Sequence, residues 1–250
     1  MKRARMERIT SAAASGLQAR MDSLDMLANN LSNSSTGGFK ADREFYGTYL
    51  APELANQDNV VGESPVIQRH WTDFSQGTLI ATGNPTDVGL SGGGFLSVNG
   101  PNGPLYTRNG NFHFSAGGVL VSAEGYPVRM TNGQSLQTTS PAPIQVGADG
   151  QISQSGAPLG QLELTEFKDP TQLNKSGASY FSSPGAKSGA SPAASTEVHQ
   201  GQMESSNAQP AEAAARMISL LRNFEMLQKA VKIGSEMDGQ AIEQVAKVGP

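Results

Sequence analysis

The chain has 250 residues, of which 16% are charged, with a formal net charge of −4 and no cysteine. Its length allows one good hydrophobic core or two small ones. The charge gives no electrostatic reason to expect a nucleic-acid partner, because proteins that bind nucleic acids usually carry a basic face. The lack of cysteine excludes disulfide scaffolds and Cys-ligated metal sites.

The chain begins with MKRARM, which resembles the basic region of a signal peptide. The residues that follow are too polar to form the apolar core of such a signal. We therefore expect no Sec-type signal peptide, and Met6 is an alternative start to Met1. No apolar run in the sequence approaches the roughly 18 residues needed to span a bilayer, so we expect no membrane insertion.

Residues 8–33 are predicted to form an amphipathic helix, which the glycines at 37 and 38 end. Five of its apolar residues alternate spacings of four and three, as in a coiled-coil seam. They are Leu17, Met21, Leu24, Ala28 and Leu31. Such a stripe is also typical of the core face of an ordinary helix. What favours pairing with another helix is a matching stripe at the other end of the chain.

Residues 41–75 carry no clear period and are predicted to form an extended connecting arm. From residue 76 to 185, short runs separated by turn residues at about ten-residue intervals predict an all-β domain, either a small sandwich or a barrel. Residues 109–110 (NG) are a strong signal for a two-residue hairpin. Further turns are predicted at 99–103, 117–118 and 148–150.

Residues 186–202 are rich in Ser, Ala, Gly and Pro and are predicted to form a linker. A second helix is predicted over residues 210–246, with Pro210 in its first turn. Its apolar residues again alternate three and four, and they are Met217, Leu220, Phe224, Leu227 and Val231. A long helix with a stripe on one side is not stable alone in water, so the stripe needs a partner.

No group of residues predicts a catalytic, cofactor or metal site. Residues 91–94 (SGGG) lack the Lys-Ser/Thr pair of a phosphate-binding loop and predict a turn that leads into a strand. The three histidines lie in separate segments without metal-ligand spacing. The acidic residues show no pair that marks a glycosidase. We therefore expect no enzymatic activity and no cofactor.

Residues 106–110 (YTRNG) have two interpretations. In one, they are a strand that ends in a type I′ turn, with Arg108 on the solvent face. In the other, the segment takes part in a subunit contact. The sequence favours neither.

The predicted fold class is α+β, with an all-β central domain between N- and C-terminal helices that pair as a coiled coil. Residues 1–40 plus 203–250 form the helical region, and 41–75 form the connecting arm. Residues 76–185 form the β domain, and 186–202 form the linker. A chain that ends in two striped helices is typical of a protein that assembles with partners.

The terminal segments resemble the family of flagellar rod and hook axial proteins. The N-terminal match runs through residues 24–33 (LDMLANNLSN) and 36–40 (TGGFK), and the C-terminal match through 204–207 (ESSN) and 222–225 (RNFE). The segment at 106–110 matches in the middle. The positions that carry the family motifs are Asn29, Asn30, Asn33, Thr36, Gly38, Phe39, Ser206, Asn207, Arg222 and Glu225.

Within this family, the short middle domain and the sequence of residues 38–43 (GFKADR) look most like those of the proximal-rod members. The distal-rod members are next in similarity. Residues 34–35, Pro210 and Leu221 depart from the family pattern, which affects the subtype more than the family.

The resemblance implies a structural subunit of the periplasmic rod of the flagellar basal body, which transmits torque from the motor to the hook. It implies export through the flagellar type III apparatus without a cleaved signal peptide. It also implies self-association and contacts with other rod and hook proteins, with the terminal helices packed in an inner tube. The alternatives are a distal-rod or hook subunit and, from another class, a secreted cell-wall-binding module whose helices form a self-contained stalk.

Overall fold

The computed structural model describes residues 2–49, 64–140, 142–184 and 189–248. The chain divides into two compact units. The helical unit contains the described parts of Met1–Leu31, Asp42–Trp71 and Pro210–Pro250, and the β unit contains those of Ser32–Ala41 and Thr72–Gln209. A helix at each end and a β-rich middle confirm these parts of the predicted fold.

The helical unit combines both ends of the chain with a pair of strands. Its elements are α1 (Lys2–Ser32), β1 (Asp42–Tyr49), β2 (Ser64–Thr72) and α2 (Pro210–Val248). β1 and β2 form a two-stranded sheet, so strands are paired where the sequence predicted a connecting arm. Aromatic and β-branched residues in both segments favour strand conformation. The part of the arm at 50–63 lies outside the described residues.

Within the helical unit, α1 and α2 contribute to one small apolar cluster. Leu27, Ala213 and Leu220 are buried in it, and Leu24, Met26, Leu31 and Met217 pack against it partly buried. Most of the stability of a helix in a protein comes from such packing rather than from intrinsic propensity. Among the described residues, no helix is both long and apolar enough to cross a membrane.

The β unit is built from short strands. They are β3 (Leu79–Ala81), β4 (Val88–Ser91), β5 (Phe95–Gly100), β6 (Gly103–Thr107), β7 (Phe112–Phe114), β8 (Leu120–Ser122), β9 (Ile144–Val146), β10 (Gln151–Gln154), β11 (Ala157–Gln161), β12 (Leu164–Phe167), β13 (Asn174–Lys175), β14 (Tyr180–Ser182), β15 (Ala190–Pro192), β16 (Glu197–Gln200) and β17 (Gln202–Glu204). The largest sheet has the order β13-β14-β6-β5-β12-β15, and a three-stranded sheet has the order β11-β10-β9. The remaining pairs in this unit are β16-β4, β17-β3 and β7-β8.

The central strands of the six-stranded sheet are apolar on both faces. In β5, Leu96 and Val98 belong to the main core, and Phe95 belongs to a second, aromatic cluster. In β14, Tyr180 belongs to the main core and its neighbour Phe181 belongs to the aromatic cluster. Since successive side chains of a strand point to opposite faces, the sheet separates two cores. The aromatic cluster packs edge to face, with 5.6 Å between the ring centroids of Phe95 and Phe167.

The segment predicted as a linker also contributes to the β unit. β15 pairs antiparallel with β12, and β16 pairs antiparallel with β4. Val198 of β16 is buried in the main core. This segment therefore differs from the prediction, because one buried apolar residue and a complete ladder of backbone hydrogen bonds outweigh its turn-forming composition.

Three of the predicted turns are confirmed, and one is wrong. Hairpins join β5 to β6, β7 to β8 and β9 to β10, around residues 99–103, 117–118 and 148–150. No hairpin forms at 109–110, because β6 pairs with β5 and β14 while β7 pairs with β8. Instead, the carbonyl of Gly110 accepts the N–H of Val88 at 3.0 Å. A Cβ at Gly110 would lie 1.7 Å from the Val88 oxygen, so the glycine permits a close approach of two backbones.

Candidate functional site

The positions considered for enzyme or metal chemistry lie in ordinary structural settings. Ser91 ends β4, and residues 92–94 form the turn that leads into β5, where the sequence predicted a turn before a strand. His113 is on the exposed side of β7, between buried Phe112 and half-buried Phe114. In the part of the chain that the structure describes, no three acidic or histidine residues come together to hold a metal ion.

The structure brings four of the ten predicted seam residues into the helix cluster, and they are Leu24, Leu31, Met217 and Leu220. The others are half-buried (Leu17, Phe224 and Leu227) or exposed (Met21, Ala28 and Val231). Leu27 and Ala213, which the sequence analysis did not select, are buried in the cluster. Ala213 stands four residues before Met217, so extending the stripe by one turn of α2 would have found it.

α2 carries a second apolar surface. Ile218, Leu221, Met226 and Ile233 are between 46% and 61% exposed. At 100° per residue, Ile218, Met226 and Ile233 lie about 120–160° around the helix axis from Leu220. This second surface therefore cannot face α1 while Leu220 does.

Two buried polar side chains connect α1 to β1. The side-chain amide of Asn30 accepts the N–H of Asp42 at 2.9 Å and donates to the carbonyl oxygen of Asp42 at 2.8 Å. The Ser23 hydroxyl donates to a carboxylate oxygen of Glu44 at 2.6 Å. Asn30 thus satisfies both backbone groups of Asp42, as a neighbouring strand would.

In the β unit, the segment after α1 and the segment before α2 lie side by side. We define the closure as residues 36–41 and 204–208. The N–H of Gly38 donates to the carbonyl oxygen of Glu204 at 2.7 Å, and the N–H of Asn207 donates to that of Phe39 at 3.3 Å. The Asn207 side chain accepts the N–H of Ala41 at 2.7 Å and donates to the carbonyl oxygen of Asp73 at 2.7 Å. Phe39, Ala41 and Ala208 form a small buried cluster.

Three charged side chains are buried beneath the closure. Lys40 and Glu204 are 0% exposed, and Arg108 is 3% exposed. The Lys40 ammonium lies 2.6 Å from Oε1 of Glu204, and Nη1 of Arg108 lies 3.4 Å from Oε2. Burial lowers the pKa of both Lys40 and Arg108, because desolvation disfavours the charged form more than the attraction of Glu204 favours it.

The interpretation that places Arg108 on the solvent face of a strand is wrong, because its side chain is buried. A role of residues 106–110 in a subunit contact stays a prediction. Besides the ion pair with Glu204, Nη2 of Arg108 donates to the carbonyl oxygen of Gly92 at 2.6 Å. The guanidinium carbon lies 5.0 Å from the centroid of the Phe95 ring, which is a cation–π arrangement.

Gly38 is required where it stands. Its φ is +65°, and a Cβ there would lie 2.2 Å from the carbonyl carbon of Arg108 and 2.3 Å from the nitrogen of Asn109. A side chain is therefore excluded both by conformation and by contact with backbone. Gly38 thereby lets the chain approach the loop that carries Arg108.

The other motif residues have local roles or lie at the surface. The side chain of Thr36 donates to that of Asn33 at 3.2 Å, and the Thr36 N–H donates to the Asn33 carbonyl oxygen at 3.1 Å. The Ser206 hydroxyl accepts the N–H of Ala208 at 3.1 Å. Asn29, Arg222 and Glu225 are exposed.

Sequence reasoning did not identify the buried charges, although all three stand in segments quoted for the family resemblance. Charged side chains are almost never fully buried unless paired. Pairing between residues 164 positions apart, as for Lys40 and Glu204, leaves no periodic pattern in the sequence. In the sequence, the feature that pointed to these three residues was the order of the family motifs that contain them.

Comparison with known proteins gives matches along most of the chain. Family models match at residues 11–40 (flagella basal body rod protein), 89–154 (flagellar hook protein FlgE/F/G D1 domain) and 199–244 (flagellar basal body rod FlgEFG protein, C-terminal). The flagellar basal-body rod protein FlgF of Caulobacter vibrioides is 31% identical over 231 residues, which are 90% of this chain and 92% of that protein. The rod protein FlgG of Borreliella burgdorferi is 32% identical over 260 residues, covering 94% and 98%. FlgF of Rhizobium meliloti is 30% identical over 230 residues, covering 88% and 90%.

Proposed function

Because this chain belongs to the family of flagellar basal-body rod proteins, we propose that it assembles helically through α1 and α2, paired as a coiled coil. The family is one of structural proteins and not of enzymes, and the chain is a structural subunit of the rod. In the proposed assembly, α1 and α2 contribute the inner helical layer, whereas residues 33–40 and 203–209 of the predicted helical region belong to the β unit. The β unit provides the rest of the subunit, and the assembled rod transmits torque from the motor to the hook.

One observation carries the assembly proposal, namely that α2 has apolar side chains on two sides. Leu220 is buried in the cluster with α1, whereas Ile218, Met226 and Ile233 are more than half exposed in the single chain. A helix that is apolar on all sides is normally buried on all sides. In the rod, the helices of neighbouring subunits would cover the second surface, which removes its apolar area from water.

A pair of adjacent substitutions in α2 tests the proposed pairing of α1 with α2. Leu220→Asp places a carboxylate in the helix cluster, where burying an unpaired charge is costly. Ser219→Asp is the matched control, because Ser219 is exposed and its hydroxyl bonds only within the helix, to the Ala215 carbonyl oxygen at 3.1 Å. We expect Leu220→Asp to abolish motility and incorporation into basal bodies, while Ser219→Asp retains both. Normal incorporation of Leu220→Asp would contradict the proposal.

We further propose that the chain is a proximal-rod subunit located in the periplasmic part of the basal body. The relatives named FlgF support this, while those named FlgG keep the distal rod as the alternative. Its partners would be neighbouring rod proteins, copies of itself and the flagellar export apparatus, which would secrete it without a cleaved signal peptide.

Deletion of the gene provides the test of subtype. A deletion strain should be non-motile, and electron microscopy should show basal bodies whose rods stop short of the distal segment. A rod whose proximal segment is complete and that lacks only the distal segment would favour the distal alternative, because a missing proximal subunit should leave the proximal segment incomplete as well. Complementation with the intact gene is the control.

A further inference from the structure

The charges under the closure are unequal in number. Among the described residues, Glu204 is the one carboxylate that contacts both Lys40 and Arg108, and it also accepts the N–H of Gly77 at 2.8 Å. The Lys40 ammonium has one further partner, the carbonyl oxygen of Ser75 at 2.7 Å. Removing one member of a buried ion pair leaves an uncompensated charge, which is strongly destabilising. Glu204 is therefore the member whose loss affects the most partners.

The three charges come from distant parts of the chain. Lys40 belongs to the segment that follows α1, Glu204 ends β17 shortly before α2, and Arg108 follows β6. The backbone bonds of the closure are also reciprocal, since Gly38 donates to Glu204 and Asn207 donates to Phe39. Each segment thus supplies partners that the other segment needs.

We propose that Lys40, Glu204 and Arg108 form a latch that makes docking of residues 36–41 and of residues 204–208 onto the rest of the β unit a single event. If either segment leaves, the other keeps a buried charge and backbone groups without partners, and it leaves as well. The attachment points of α1 and α2 are then fixed only when both segments are docked. This property concerns the folding of one subunit and does not depend on the proposed assembly.

The β unit provides the reference against which the latch can be measured. Neither its main core nor its aromatic cluster contains a residue of the two closure segments. Phe39, Ala41 and Ala208 form a separate cluster. The latch should therefore open without unfolding the strands that form the main core and the aromatic cluster, as a local unit of lower stability.

Amide hydrogen exchange of the full-length protein, read residue by residue by NMR, tests the latch with two variants. For Glu204→Gln, exchange is measured at the amides of Ala41 and Asp73. This variant leaves their hydrogen-bond acceptors in place: the Asn207 side chain accepts from Ala41, and the Ala41 carbonyl oxygen accepts from Asp73. Asn207→Ala is read at Gly38 and Gly77, whose partners are both atoms of Glu204. We expect each variant to raise exchange at these remote amides by about tenfold or more, as for a cooperative unit that opens as a whole.

Two controls complete the design. Amides of Leu120 and Leu162, which are bonded in the main core to Leu136 and Gly150, should keep a larger opening free energy than the closure amides in both variants. Glu163→Gln disrupts the half-exposed pair between Arg129 and Glu163, which has the same N–O distance of 2.6 Å, and should leave the closure amides protected.

The proposal is overturned if exchange rises only at amides whose own partner was changed, because the segments then dock independently. It is also overturned if the closure amides and the core amides have the same opening free energy in both variants, because the closure then opens only together with the core. If Glu204→Gln does not fold, Asn207→Ala alone decides between these outcomes, since its side chain is only partly buried.

Discussion

Gly38→Ala perturbs the closure at the point where two backbones touch. Alanine at φ +65° is in the left-handed region, which costs an L-residue about 1–2 kcal/mol. The added Cβ would also lie 2.2–2.5 Å from three backbone atoms, namely the carbonyl carbon and oxygen of Arg108 and the nitrogen of Asn109. Backbone cannot rotate away as a side chain can, so overpacking adds about 1–3 kcal/mol. We expect a total loss of about 2–5 kcal/mol in the free energy of unfolding of the β unit.

Gly125→Ala separates the two contributions. Gly125 has φ +87°, but a Cβ there would meet nothing within 4 Å. This variant should therefore lose only the conformational part, about 1–2 kcal/mol. Both variants are compared with the unchanged protein by urea unfolding, followed by far-ultraviolet circular dichroism. If Gly38→Ala costs no more than Gly125→Ala, the close approach to Arg108 is not a constraint and the reasoning is refuted.

Three further predictions concern buried groups. Glu204→Gln should lower the free energy of unfolding, measured in urea, by about 3–5 kcal/mol, because two buried cations lose their carboxylate. Glu163→Gln, in a half-exposed pair, should lower it by less than about 1 kcal/mol. Equal losses in the two variants would contradict this prediction. Burial and a hydrogen bond to Glu124 raise the pKa of Tyr180 above its unfolded value of 10.0. The folded state therefore holds the phenolic proton more tightly, so the free energy of unfolding falls as pH rises above about 10. Tyr180→Phe should reduce this fall between about pH 9 and 11. An unchanged dependence of the free energy of unfolding on pH would count against the prediction. In α2, Leu220→Ala should reduce the helix content of the monomer, because truncating a buried leucine costs about 2–5 kcal/mol. Ile218→Ser should leave the helix content unchanged, because Ile218 is exposed. Circular dichroism measures both.

Much of the fold could be predicted from local patterns. The terminal helices, the β-rich middle and the hairpins around residues 99–103, 117–118 and 148–150 depend on periodicity and on turn residues that act over a few positions. The failure at residues 109–110 has a clear cause. Gly110 is needed because its backbone touches Val88, and an Asn-Gly pair that serves a close approach looks the same in sequence as one that serves a turn.

The candidate site shows the same division. Of the predicted stripe on α2, Met217 and Leu220 lie in the helix cluster and Phe224 and Leu227 are half-buried, because a helix presents every third or fourth residue on one face. On α1, apolar residues on adjacent faces left the orientation open, and Leu27 rather than Met21 or Ala28 is buried. Local spacing limits which residues share a face, but the partner decides which face is covered.

By itself, the sequence determined the class of protein, the positions of the helices and the order of the family motifs. Only the tertiary structure decided that Lys40, Arg108 and Glu204 are buried together and that Asn207 and Gly38 hold the two terminal segments side by side. The physical reason is that helix and turn preferences act between neighbours in the chain. The burial of a charge depends instead on whether a residue 164 positions away supplies its partner.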